Sequence, residues 1–128
     1  MISAQQELFM AVKFALQELG YDVYDNMLPP DGTPYPFVYM AETTQNQFNA
    51  KAQDAGYVRL IIQVWGKPTM RGTISAMAEN IRNVVRTIET NHYGYTLQEY
   101  EQRIINDNTT RTPLMQSYNS LMVFFSRR

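Results

Sequence analysis

Bond-making chemistry needs a nucleophile, a base or a metal-binding cluster, and this 128-residue chain offers few candidates. Its one histidine, His92, follows the longest helical pattern in the sequence, where a cation complements the negative end of the helix dipole. A hydrolytic triad would need that imidazole oriented by an acid and beside a nucleophile, and the sequence has no nucleophile-elbow glycine pattern. The absence of cysteine removes thiolate catalysis, disulfides and every cysteine metal site. Asp22, Asp25 and Asp31 lie in turn-like sequence, where Asp side chains cap the backbone. Asp107 lacks the glycine and distal glutamate of a calcium loop. Gly66-Lys67-Pro68-Thr69 is a faint echo of a phosphate loop, but it lacks the upstream glycine, and Pro68 removes a backbone donor. The inventory therefore predicts no catalytic residue, no metal site and no cofactor.

Composition narrows the remaining roles. The length suits one domain spanning residues 1–128. Hydrophobic residues make up 45% and charged residues 18%, and that charge share lies below the usual quarter. So little charge on a small domain implies that a partner covers part of its surface. A formal net charge of −1 provides no global pull toward nucleic acid or anionic membrane. No run of eighteen apolar residues is present. The first residues lack the basic region and apolar core of a signal peptide, and the absence of cysteine suits a protein made in a reducing cytoplasm. Nine Tyr, six Phe and an excess of Arg over Lys could stack on bases, yet the same residue types mark protein interfaces, and the weak net charge favours an interface.

The elements follow from periodicity. Ser3 and Gln6 form a capping box that opens a first helix, with Leu8, Val12, Ala15, Leu16 and Leu19 at helical spacing and Gly20 at its end. Val23-Tyr24 predicts a short strand. The proline-punctuated stretch 28–36 predicts turn and extended chain, and Phe37 to Glu42 a strand. Residues 43–56 are polar and amide-rich and read as a long loop carrying one large apolar side chain, Phe48. Tyr57 to Trp65 alternates. Val58, Leu60, Ile62 and Val64 belong to a core face, and Tyr57, Arg59, Ile61, Gln63 and Trp65 to a mixed, partly exposed one.

A helix over about residues 69–90 follows, about 33 Å long. Met70, Ile74, Met77, Ala78, Ile81, Val84, Val85 and Ile88 form its apolar stripe; Arg71, Ser75, Glu79, Arg82, Arg86 and Glu89 lie opposite. Strands are then predicted over 95–105 and 118–126, the last apolar on both faces. The expected fold is α+β: a mixed, mostly antiparallel sheet of four to five strands, with both helices on one face. The strand after the long helix runs parallel to the strand before it.

The order and spacing of these segments carry a resemblance. Val23-Tyr24-Asp25, the prolines Pro29 and Pro30, and Pro36-Phe37-Val38-Tyr39-Met40 ending at Glu42 form a strand, proline and strand signature. Val58-Arg59-Leu60-Ile61-Ile62-Gln63-Val64-Trp65 precedes the long helix, and Asn106-Asp107 precedes a closing strand at Leu121 to Phe125. This pattern resembles the tail completion proteins of long-tailed bacteriophages, also called tail terminator or tail-to-head joining proteins. The stretch from Asn91 to Gln102 is less apolar than that pattern. The resemblance implies a non-enzymatic viral structural protein that caps the tail tube as a homo-hexameric ring. Such a ring sits at the head-proximal end of the virion tail, is assembled in the bacterial cytoplasm, and meets both tail tube protein and head connector proteins. DNA passes through its channel without sequence-specific binding, and no membrane is involved.

A ring requires one protomer to offer two complementary faces. The expected subunit-interface residues are Tyr35, Gln45, Gln47, Phe48, Asn49, Arg59 and Trp65, with Arg71, Arg82 and Arg86 meeting solvent or another ring. A head-closure or adaptor protein is the nearest alternative reading. A small ligand-binding or enzymatic domain and a nucleic-acid binder are the more distant ones.

Overall fold

The computed structural model describes residues 2–25, 27–48, 55–109 and 111–128. Helix α1 spans Ala4–Glu18, and the Ser3 side chain accepts from the Gln6 backbone N–H at its start. Strand β1 is the pair Val23–Tyr24, β2 is Phe37–Gln47 and β3 is Ala55–Gly66. A 3-10 turn over Pro68–Met70 leads into helix α2, Arg71–Arg86. Strands β4, Tyr93–Asp107, and β5, Leu114–Arg127, complete the chain. The sheet order is β1-β2-β3-β5-β4. Only β1–β2 is parallel; β2–β3, β3–β5 and β4–β5 are antiparallel. The expected α+β architecture is therefore the one observed. β4 runs in the same direction as β3, as the crossover through α2 requires, but β5 is inserted between them.

Three boundaries depart from the sequence expectation. The tract read as a loop over 43–56 is strand at both ends, because β2 continues to Gln47 and β3 begins at Ala55. Pairing explains the extension: Thr44 faces Arg59, Gln45 faces Val58 and Asn46 faces Tyr57, so cross-strand partners order side chains that carry no apolar signal. Helix α2 is shorter than predicted, with 16 residues and a length of about 24 Å. Pro68 delays its start, and the helix ends where the Thr87 backbone leaves the helical region (φ −110°, ψ 9°) and its hydroxyl joins its own N–H on the Asn83 carbonyl. β4 and β5 are longer than the apolar pattern indicated.

The core lies between the sheet and the two helices. Leu8, Val12 and Leu16 of α1 and Ile74, Ile81 and Val85 of α2 meet Val58, Leu60, Ile62 and Val64 of β3 and Leu121, Val123 and Phe125 of β5. Each of these is 0–1% exposed. Burying a side chain of this kind is worth about 1.5–3 kcal/mol, so these residues dominate the fold's gross stabilisation. Within this layer Asn119 is fully buried and satisfied. It donates to the Ile62 carbonyl at 3.1 Å and the Ser117 hydroxyl at 2.6 Å, and accepts from the Tyr100 hydroxyl at 2.8 Å. A β-bulge between Met40 and Glu42 and another between Leu97 and Glu99 interrupt the two outer long strands.

Candidate assembly surface

The face of the sheet away from the helices is built by strand alternation. Its rows, read across β2, β3, β5 and β4, follow from the register: Asn46–Tyr57–Phe124–Thr96, Thr44–Arg59–Met122–Glu99, Glu42–Ile61–Ser120–Glu101, Tyr39–Gln63–Tyr118–Arg103 and Phe37–Trp65–Gln116–Ile105. Four strands and nine residues give a surface of roughly 570 Å². That compares with about 800 Å² per partner in a standard protein interface.

The face has two aromatic ends and a charged middle. At one end Phe48 leans on Tyr57 with ring centroids 5.3 Å apart and on Phe124 at 6.0 Å, yet it remains 54% exposed. At the other end Tyr35 stacks on Phe37 at 5.5 Å, and the Trp65 indole N–H donates to Gln63 at 2.9 Å. There the 28–33 segment, Tyr35, Phe37, Trp65, Asp107 and Leu114 enclose a groove of about 360 Å³. Leu28, 55% exposed, sits on its rim. Between the ends Arg59 donates to the Ser120 hydroxyl at 2.8 Å, and Arg103 lies 4.9 Å from the Tyr118 ring centroid. The Gln116 side-chain carbonyl is buried and finds no partner among the described residues.

Tyr35, Phe48, Arg59 and Trp65 thus share one face. Gln45 and Gln47 belong to the opposite one. Gln45 Oε1 accepts from the Gln5 backbone N–H at 2.9 Å, so it ties β2 to α1. Asn49 lies outside the described residues. Arg71 and Arg86 are exposed on α2. Arg82 is half-buried and lies 5.7 Å from the Tyr100 ring, within 3.4 Å of Glu79.

Among the described residues a tight ionisable cluster centres on Glu7, for which the sequence predicted no role. Glu7 is 9% exposed. It accepts from the Thr90 hydroxyl, from the Tyr95 hydroxyl at 3.0 Å and from the His92 backbone N–H at 3.2 Å, and it meets His92 Nδ1 at 2.7 Å. Burial pulls its carboxyl upward, but the hydrogen bonds from Thr90, His92 and Tyr95 outweigh that, and it lies below the ordinary carboxylate range. Burial, with the Glu7 carboxylate alongside, pushes the Tyr95 phenol up. His92 stands well past the end of α2, so its partner is this carboxylate rather than the helix dipole. The available signal was an acid flanked by the buried Ala4 and Leu8. The cluster holds α1 against the α2–β4 connection. Among the described residues no group of three or more His, Cys, Asp or Glu could hold a metal ion, and no helix is long and apolar enough to cross a membrane. Burial also raises the Tyr100 phenol, whereas the Thr109 hydroxyl and backbone N–H hold the Asp107 carboxyl low.

No protein-family model matches the chain, and no curated protein matches it in sequence. Its fold is similar to that of a chain in the virion of a native gene transfer agent (GTA) particle, with a TM-score of 0.65 and 13% sequence identity over 98% of this chain and 96% of that one.

Proposed function

We propose that the chain is a structural virion protein of a phage or prophage that caps the tail tube as a homo-hexameric ring. In this reading it ends tail growth and forms the surface to which the head connector attaches, with DNA passing through the ring. It works by geometry and catalyses no reaction. The observation that carries the reading is the fold likeness to a GTA virion chain over nearly the whole of both chains. The helix-free face supports it, since no helix or strand among the described residues packs on its roughly 570 Å² of mixed aromatic and charged sheet.

The tail-capping role itself rests on the strand, proline and strand signature from Val23 to Met40 and on the Val58–Trp65 strand preceding the long helix. A head-closure or adaptor protein would share the virion setting. Particle fractionation separates the two readings, because a tail terminator stays with free tails when heads are missing and a head-closure protein stays with heads. Negative-stain images of the purified protein test the ring: six-fold annuli are expected, and dispersed single particles at all concentrations would overturn it.

A further inference from the structure

Resting on that ring reading, we infer that successive copies join through the two open edges of the sheet: β2 of one copy pairs antiparallel with β4 of the next. β1 covers only Val38 and Tyr39 of β2, and nothing pairs with the far side of β4 among the described residues. The bulges sit at Met40/Glu42 and Leu97/Glu99, which leaves residues 42–47 and 99–107 as regular strand. Neither stretch contains the proline or lysine with which natural sheets blunt an edge.

Backbone alternation fixes which groups point outward. Phe48 donates its N–H inward to Ala55, so Gln47, Gln45 and Thr43 present theirs outward. The His92 carbonyl accepts from Arg128 within the sheet, so Tyr95 faces outward; past the bulge Tyr100, Gln102 and Ile104 do so. Strand directions then decide compatibility. Along the order β2-β3-β5-β4 every neighbour is antiparallel, so β2 and β4 run in opposite senses. Copies related by rotation about an axis near the strand direction keep those senses, and each β4 meets the next β2 antiparallel. The helices all fall on one side of the joined sheet, and the helix-free faces form the other.

Charge selects the register. Pairing Thr43 with Gln102 and Gln45 with Tyr100 brings outward groups together and sets Glu42 opposite Arg103, whose exposed guanidinium Glu42 would share with Glu101 of its own copy, 3.7 Å away. Sliding by two residues one way sets Glu42 against Glu101, and the other way against Ile105.

Single edge blocks test the pairing. Thr43→Pro removes an outward donor from β2, and Gln102→Pro removes the one opposite it from β4; neither breaks a backbone bond within the sheet, and the side-chain bonds lost are that of the Thr43 hydroxyl to Gln5 at 3.1 Å and that of the Gln102 amide to the Tyr100 hydroxyl at 2.9 Å. Each variant alone is expected to stay monomeric where wild type assembles. Their equimolar mixture is expected to stop at a 1:1 dimer, since only one good edge of each remains. Hydrogen exchange on wild type avoids any loss of folding in the variants. The Thr43, Gln45, Tyr100 and Gln102 amides should slow at least about tenfold between dilute and assembled protein. Glu42→Arg and Arg103→Glu should each weaken assembly severalfold, and the double reversal should restore it; failure to restore overturns the register. Wild type that assembles with these amides unprotected, or proline variants that assemble normally, overturns edge pairing and leaves the ring standing. Wild type that stays monomeric throughout overturns both.

Discussion

Removal of the Glu7 carboxylate is expected to cost far more than its position near the start of a surface helix would imply. Both oxygens are engaged, one by the Thr90 and Tyr95 hydroxyls and the other by the His92 backbone and ring nitrogens. The two hydroxyls have second acceptors, because Thr90 also reaches the Tyr93 carbonyl at 2.9 Å and Tyr95 the Ala4 carbonyl at 2.9 Å. In Glu7→Ala they can turn to those acceptors, whereas the His92 backbone N–H loses the only acceptor described for it. Charge-assisted hydrogen bonds are worth about 1.5–3 kcal/mol each. With partial rescue of the hydroxyls, the net loss is about 2–3 kcal/mol. For a chain of this size about 1 kcal/mol shifts the melting temperature by ~4 °C. Glu7→Ala should therefore melt about 8–12 °C below wild type at pH 7.

The pH dependence has a fixed sign. The folded-state pKa of Glu7 is depressed, so its contribution is fully present above the unfolded carboxylate value of about 4.3 and fades as pH falls through the lower folded value. Thermal melts of wild type and Glu7→Ala from pH 7 down to pH 3 provide the assay. A narrowing of the gap between the two curves at low pH is expected, by the part of the loss that needs the ionised carboxylate. A difference under 2 °C at pH 7, or an equal gap at both ends of the range, would refute the reasoning.

Other substitutions probe the remaining elements. Asn119→Ala takes from the fully buried Ser117 hydroxyl its Asn119 donor, while the Tyr100 hydroxyl keeps the Ala78 carbonyl and the Gln102 amide; it should cost about 1–3 kcal/mol in denaturant unfolding. Gly56→Ala would place a Cβ 2.0 Å from the Asn46 carbonyl oxygen, so the β2–β3 pairing must open there. A loss of at least about 2 kcal/mol, with faster amide exchange in residues 42–47 and 55–59, is expected. Phe48→Ala leaves Tyr57 and Phe124 in contact with each other at 5.9 Å; it should leave the monomer's melting nearly unchanged while weakening assembly by native mass measurement. Arg71→Ala, on the exposed side of α2, should change neither stability nor ring formation by more than about 0.5 kcal/mol.

How far the sequence spoke depended on whether a feature was local. The first helix, the alternating β3 strand and the apolar stripe of α2 follow from periodicity, and the sheet's covered face from Val58, Leu60, Ile62 and Val64. The strand character of residues 43–47 was hidden because amide and hydroxyl side chains give no alternation; register with β3 creates it. The place of β5 between β3 and β4 is a long-range pairing that no local pattern encodes. The helix-free face was legible in Trp65, Arg59 and Phe48, yet Gln45 belongs to the other side because the bulge at Met40/Glu42 flips the parity of β2. Glu7 and His92 lie 85 positions apart in the chain, so only the fold brings them together.

Native mass measurement of the purified wild-type chain across a concentration series tests the assembly claim most directly. The account predicts a closed oligomer of defined copy number, six in the ring reading, formed at the expense of monomer without an open-ended ladder. A monomer at every concentration, or a simple two-fold dimer that never grows, would contradict it.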